Sequence, residues 1–403
     1  MTERKENIEA IINHRAIDRI YPSREALEES LKSGRRFKIY LGVDATGPHI
    51  HLGHLTNFLV LKQFQNLGAE VVFLIGDFTA MIGDPTDKAA ARIPLTAQQI
   101  KENYKTFEKQ AGRILRLKGK NAVEVAFNSK WLAKMDLADM LDLAGHFTVQ
   151  QMIERDMFQV RIRENKPIGL HEFLYPLLQG YDSVAMEVDA EIGGTDQTFN
   201  MLAGRTLLKD YKGKEKFVLT TRLLVDPKTG KKIMNKSEGG LINLDDEPDD
   251  MFGKIMSLKD ETIMPLAELC TELAPAEILS LGNDLKKGAN PRDIKARVSE
   301  AIVETVYGKS QALSAKARFE QLFSRKEIPT ELPELKVKAR TISAVDLAVA
   351  TGVIKSKSEA RRLIEQGGFD FDGKNTVNPQ EILKLKGGEM VRVGKKSYFR
   401  VSP

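Results

Sequence analysis

The chain has 403 residues, room for two to four domains, and its 42% hydrophobic and 29% charged residues are the profile of an ordinary globular protein. Its one cysteine, Cys270, excludes a disulfide framework and a cysteine zinc cluster; the helical spacing of "PLAELCTELA" reads as a buried core thiol, at home in the reducing interior of a cell. A net charge of +5 permits a nucleic-acid partner without arguing for one, and the charged start "MTERKENIEA", with no run of about 18 apolar residues anywhere, leads us to expect a cytoplasmic protein with no secretory signal and no membrane span.

In chain order, residues 1–225 alternate strand-like and helix-like stretches. "RRFKIYLGVDAT" reads as a strand running into a loop. "HLTNFLVLKQFQNLGA" reads as a helix, with Leu55, Phe58, Leu59, Leu61 and Phe64 largely on one face and Gly68 as its stop. "EVVFLIGDFTA" is a buried strand, and strand, helix, strand makes a βαβ unit with a parallel sheet. "FVLTTRLLVD" closes the region as a further strand. Residues 226–244, with "DPKTGKKIMNKSEGG", form a loop rich in Gly, Lys and Ser. Residues 245–325 are helical in pattern, 326–340 read as a charged, proline-bearing linker, and 341–403 are small and mixed. The expected class is α/β: a Rossmann-like parallel-sheet domain, then an α-helical domain, then a small α+β domain.

The stretch "GPHIHLGHL" holds His49, His51 and His54, three of the six histidines. Three readings compete: a metal site, a phosphate site, or structural histidines. Ligands of parallel sheets bind at the carboxyl ends of strands, and this stretch follows such a strand and opens a helix. A helix N-terminus attracts anions through its free N–H groups and its dipole, and histidines there can donate to phosphate oxygens. Gly53 would let a nucleotide lie close to the backbone. A metal needs further donors, and no cysteine or H-E-x-x-H pattern supplies them. Phosphate binding is therefore the preferred reading.

"HLGH" resembles the HIGH signature of class I aminoacyl-tRNA synthetases. Their second signature, KMSKS, belongs in a loop after the nucleotide domain. "KIMNKSEGG" is in that place: Met234, Asn235, Lys236 and Ser237 fit the last four positions, while Ile233 stands where the first lysine should be and Lys232 is adjacent. "YPLLQGYDSVAMEVDAEIGGTDQTFN" resembles the Y-x-x-x-Q-x-Y-D and GG-[ST]-D-Q pattern of the tyrosyl-tRNA synthetase family. With "YLGVD", "IGDPT" and a C-terminal S4-like region, the resemblance covers nearly the whole chain.

The resemblance implies a ligase that activates L-tyrosine with ATP to tyrosyl-adenylate and pyrophosphate, then passes tyrosine to the 3′ end of tRNA(Tyr). It implies Tyr40 and Asp182 at the substrate phenol, Asp84, Tyr175 and Gln179 at the ammonium group, Gln197 near the carboxyl end and Asp44 beside the reacting groups. It assigns ATP to His51, Gly53, His54, Gly193, Gly194, Asp196 and Lys236, with Thr46 joining His51, His54 and Lys236 in catalysis. A phenol flanked by polar partners is a way to reject phenylalanine without editing (the family is the standard illustration of that argument). Mg2+ is expected with ATP, held by phosphates and water rather than by a dedicated protein metal site, and homodimers are expected from the family. Plainer readings stay open: a turn at Asp84, a core aromatic at Tyr175, a surface charge at Asp182, and solvated charges at Lys88 and Arg92.

"ISAVDLAVATGVIKSKSEARRLIEQGGFDFDGK" resembles an S4 domain: a short helix, a basic turn, a second helix, a strand and a glycine turn. Residues 341–403 carry eleven Lys and Arg against seven Asp and Glu, so +4 of the chain's +5 lies there. Lys355, Lys357, Arg361 and Arg362 are the expected RNA contacts, since basic clusters bind phosphates without reading sequence; a solvated basic face is the alternative. Two other functional classes remain: a catalytically degenerate RNA-binding protein, raised by Ile233, and an adenylyl transferase for some other substrate.

Overall fold

The structure is a computed structural model describing residues 2–86, 95–234, 240–323, 332–337, 339–354, 356–394 and 397–402. Lys88, Arg92, Lys236 and Lys355 lie outside the described residues. The chain forms two compact units, Met1–Lys316 and Ala317–Pro403.

The first unit is built on a six-stranded sheet of β1 (Ile17–Tyr21), β2 (Lys38–Asp44), β3 (Glu70–Gly76), β4 (Glu124–Phe127), β5 (Ala190–Gly194) and β6 (Phe217–Thr221), in the order β1-β6-β5-β2-β3-β4. β6, β5, β2, β3 and β4 run parallel, and β1 pairs antiparallel with β6 at the edge. Helices cover a parallel sheet on both faces, which is why β3 is buried from Val71 to Gly76 and its sequence shows no alternation. The expected βαβ unit forms. The helix Leu52–Leu67 joins β2 to β3, buries Leu55, Phe58, Leu59, Leu61 and Phe64, and ends at Gly68 with φ +96°. From β2 the chain steps outward to β3 and β4, then returns to the other side of β2 with β5 and β6. The crevice between the carboxyl ends of β2 and β5 is thus a topological switch point, where open α/β sheets bind ligands.

Helices Tyr175–Met186 and Thr198–Lys212 pack at Gly180 and Gly204. A Cβ on Gly180 would lie 3.0 Å from the Gly204 nitrogen, so the two backbones meet where neither has a side chain. The helical reading of 245–325 holds in Pro248–Met256, Ile263–Leu269, Pro275–Lys286, Pro291–Tyr307 and Lys309–Phe323. Three of these begin at proline, whose missing N–H costs nothing in a first turn. Arg15 donates to the carbonyls of Glu268, Thr271 and Leu273 at 2.5–3.0 Å, tying the N-terminal segment to these helices. This region, up to Lys316, therefore belongs to the same compact unit as the sheet. Cys270 is the expected core thiol: it is fully buried, its Sγ donates to the Leu52 carbonyl at 3.7 Å, and burial raises it to about 12.

The second unit has a five-stranded sheet, β10-β9-β12-β13-β7, and a two-stranded one, β11-β8. Its strands are β7 (Glu334–Lys336), β8 (Thr341–Ser343), β9 (Phe369–Phe371), β10 (Lys374–Asn375), β11 (Ile382–Lys384), β12 (Met390–Val393) and β13 (Ser397–Ser402). Helices Ala344–Ala350 and Lys357–Glu365, then β9 and a turn at Gly373, follow the expected order. The stretch read as a linker, 326–340, is not wholly a linker. It contributes β7, parallel to β13, and Leu335 joins a core with Val345, Leu347, Ile364, Phe369 and Val391.

Candidate active site

Beyond Asp44 at the end of β2, the chain enters the Leu52–Leu67 helix through its N-cap, His51. The Gly53 N–H donates to His51 Nδ1 at 3.2 Å, and the His51 N–H donates to His54 Nδ1 at 3.3 Å. The two imidazoles thus cap the helix reciprocally, with ring centroids 4.1 Å apart. A neutral ring that accepts at Nδ1 carries its proton on Nε2, so the cap selects the tautomer that donates. Gly53 has a nearer reason than a nucleotide: a Cβ there would lie 3.0 Å from His51 Nδ1. Ile50–Leu52 is also held from the far side of the lysine-bearing loop, through Leu52 N–H to the Ile242 carbonyl at 2.9 Å and Leu244 N–H to the Ile50 carbonyl at 2.7 Å. His49 points elsewhere and pairs with Asp245 at 2.9 Å.

A cavity of about 280 Å³ opens at the switch point. Tyr40, Asp44, Thr46, His51, Gly53, His54, Asp84, Tyr175, Gln179, Asp182, Gly193, Gly194, Asp196 and Gln197 all border it. Every described residue that the sequence assigned to tyrosine or ATP therefore faces one space. Tyr175, Gln179 and Asp182 do so because they lie on one face of one helix.

Their direct partners differ from the grouping expected for an ammonium site. The Tyr175 hydroxyl donates to Asp44 Oδ2 at 2.9 Å, and Thr79 Oγ1 donates to Asp44 Oδ1 at 2.7 Å. Asp84 accepts from Gln197 Nε2 at 2.6 Å while its other oxygen accepts from the Thr86 N–H and hydroxyl, so it both makes a turn and faces the cavity. Gln179 Nε2 donates to Glu191 at 3.1 Å. Tyr175 is no plain core aromatic, although burial, then the Asp44 and Asp84 carboxylates, push its phenol well above the usual range.

Asp182 is 2% exposed, which overturns the surface-charge reading. Its oxygens accept from Trp131 Nε1 at 2.8 Å and Asn128 Nδ2 at 3.3 Å. Burial pushes its carboxyl well up, and those two N–H donors pull the other way. The Tyr40 hydroxyl meets Ser183 Oγ at 3.0 Å, and burial raises Tyr40 as well. Elsewhere on the cavity Lys232, beside Ile233, reaches Asp196 at 2.6 Å. A Cβ on Gly194 would lie 2.5 Å from Asp196 Oδ1, so this glycine makes room for the aspartate.

Of the residues that the sequence did not single out, Thr79, Asn128 and Glu191 also border the cavity, while Trp131, Ser183 and Lys216 bond to Asp182, Tyr40 and Glu191 from behind it. Among the described residues no group of three or more His, Cys, Asp or Glu side chains could hold a metal ion. In the second unit Lys357 pairs with Asp346 at 2.7 Å, while Arg361 and Arg362 are exposed on a helix that buries Ala360 and Ile364.

The sequence profile described as tRNA synthetases class I (W and Y) matches residues 32–324. The chain is 40% identical to a tyrosine–tRNA ligase of Moorella thermoacetica over 97% of its length and 94% of the relative's. It is 41% identical to that of Haemophilus ducreyi, covering 98% and 99%. The fold resembles a C-terminally truncated mitochondrial tyrosyl-tRNA synthetase of Aspergillus nidulans, with TM-score 0.66 and 22% identity over 80% of this chain and 99% of that one. It also resembles the tyrosyl-tRNA synthetase of Archaeoglobus fulgidus complexed with L-tyrosine, with TM-score 0.61 and 23% identity over 78% and 99%. Matched over nearly its whole length, the chain belongs to the class I tRNA synthetases of the W and Y family, among the tyrosine–tRNA ligases.

Proposed function

We propose that the protein is a tyrosine–tRNA ligase that activates L-tyrosine with ATP and transfers it to the 3′ end of tRNA(Tyr). The observation that carries this reading is the gathering of the phenol, ammonium and nucleotide residues around one cavity at the switch point. The tyrosine carboxylate attacks the α-phosphorus of ATP and pyrophosphate leaves. No side chain needs to act as nucleophile or general base; the work is positioning and stabilisation of developing charge. His51 and His54 donate from Nε2 to the phosphates, assisted by Thr46. Asp44 stands beside the reacting groups, Asp84, Tyr175 and Gln179 take the ammonium group, Gln197 lies at the carboxyl end, and Asp182 with Tyr40 takes the phenol. Gly53, Gly193, Gly194 and Asp196 border the nucleotide. Lys236, outside the described residues, is assigned to the pyrophosphate on family grounds, with Lys232 beside the same space. Mg2+ would accompany ATP, held by its phosphates and water.

The second unit we read as an S4-like RNA-binding domain that grips tRNA through Lys355, Lys357, Arg361 and Arg362. Residues 245–325 then serve the anticodon end. Homodimer formation is carried over from the family resemblance. A cytoplasmic location goes with this reading, and among the described residues no helix is long and apolar enough to cross a membrane. Tyrosine-dependent ATP–pyrophosphate exchange tests the chemistry, and its absence would refute it. A chain ending near residue 330 should keep exchange and lose most tRNA charging; if both fall together, the C-terminal unit is part of the catalytic fold.

A further inference from the structure

Beneath the cavity lies an ion pair with no part in the chemistry described above. Lys216, which immediately precedes β6, is fully buried, and its Nζ donates to Glu191 Oε2 and, at 2.8 Å, to Ser183 Oγ. Glu191 is 2% exposed and sits in register with Tyr40 across the β2–β5 pairing, so both side chains share one face of the sheet. Two chains of hydrogen bonds leave this pair. One runs from Lys216 through Ser183 Oγ to the Tyr40 hydroxyl. The other runs from Glu191 Oε1 to Gln179 Nε2, while Gln179 Oε1 is buried with no partner among the described residues.

The charges dictate a direction at the Lys216–Ser183 bond and at Gln179. An ammonium has three donors and no acceptor, so Ser183 accepts from Lys216. Ser183 keeps a second lone pair and its own O–H for the Tyr40 hydroxyl, which also lies against the Glu191 carboxylate, so the pair holds Tyr40 from two sides. A carboxylate only accepts, so Glu191 holds the NH2 end of Gln179 and turns its carbonyl oxygen the other way. Resting on the tyrosine–tRNA ligase reading, we propose that the buried Lys216–Glu191 pair is the positioning device of the amino-acid pocket, holding the Tyr40 hydroxyl in place for the substrate phenol and fixing Gln179 as acceptor for its ammonium group. The phenol then finds two fixed polar partners, Tyr40 and Asp182, an arrangement phenylalanine cannot use. Burial depresses Lys216, and the Glu191 carboxylate opposes that.

The test is steady-state pyrophosphate exchange with tyrosine and with phenylalanine. Wild-type protein without tyrosine-dependent exchange overturns the functional reading itself, before any variant is compared. Ser183→Ala cuts the first chain and leaves the ion pair intact. It should lower kcat/KM for tyrosine by about tenfold, the scale of one hydrogen bond to a charged network, and leave phenylalanine unchanged. Glu191→Gln frees the Gln179 amide and should raise KM for both amino acids, with KM for ATP held. The proposal is overturned if Ser183→Ala affects both amino acids equally or neither, or if a folded Glu191→Gln protein keeps both amino-acid KM values. Should Glu191→Gln not fold, the Ser183→Ala comparison decides alone.

Discussion

The floor and the rim of the cavity are built on opposite plans. On the floor, Tyr40 and Lys216 are fully buried and Asp182 and Glu191 nearly so, and each is bonded to other protein groups. At the rim, the side chain of Lys232 is 36% exposed, and the histidines depend on a helix terminus for their orientation. Orientations on the floor are held by buried charged and polar groups. Those at the rim are set by backbone N–H groups at an opening. A pocket that must tell one amino acid from another gains from rigid, desolvated partners, because a mismatched guest leaves them unpaired. A site that must admit a polyphosphate and release pyrophosphate cannot be closed in that way, and its donors act on charge that develops during reaction.

The rim should give the largest effects. His51→Ala and His54→Ala should each slow adenylate formation by about 10²–10³, the cost of removing one charge-stabilising donor, with KM for ATP nearly fixed. Pre-steady-state measurement checks this, with His49→Ala as a near-silent control. A His51→Ala enzyme with normal kcat and a raised KM would erase the distinction, placing the histidines in ground-state binding. The floor should respond in specificity. Tyr40→Phe should lower the tyrosine-to-phenylalanine ratio of kcat/KM by about tenfold while exchange stays measurable; an unchanged ratio would take Tyr40 out of the phenol site. The smallest effect concerns what supports the floor. Gly180→Ala puts a methyl group 3.0 Å from the Gly204 nitrogen and should destabilise the protein by about 1–3 kcal/mol. An unaltered thermal midpoint would mean that the two helices can part.

Elements with a strong local pattern were legible: β2, the histidine helix and its glycine stop, β3, β6, and the helix pair of the second unit. β1 was missed because its partner β6 lies some 200 residues away and its short sequence alternates only weakly. β7 was missed because three residues beside a proline carry too little periodicity to stand out from a charged linker. In the site, residues within dense motifs were found, while the groups that hold them were not. "GKEKF" reads as solvated charge, and nothing local says that Lys216 crosses to Glu191, 25 positions earlier. Trp131 and Asn128 reach Asp182 from more than 50 positions away. Motif spacing can reveal which residues meet a substrate; what meets those residues is decided by topology.

The glycine contact between the two helices bears on accuracy as well as on packing. A Cβ on Gly204 would fall 2.6 Å from Lys216 Nζ and 2.9 Å from Ser183 Oγ. One methyl group there would displace the ammonium that sets the hydroxyl chain, and the consequence would appear not in the folded fraction alone but in the proteome, as phenylalanine read into tyrosine codons. Fidelity of translation would thus hang on a methyl-sized gap one helix behind the pocket, at a residue that does not border the cavity.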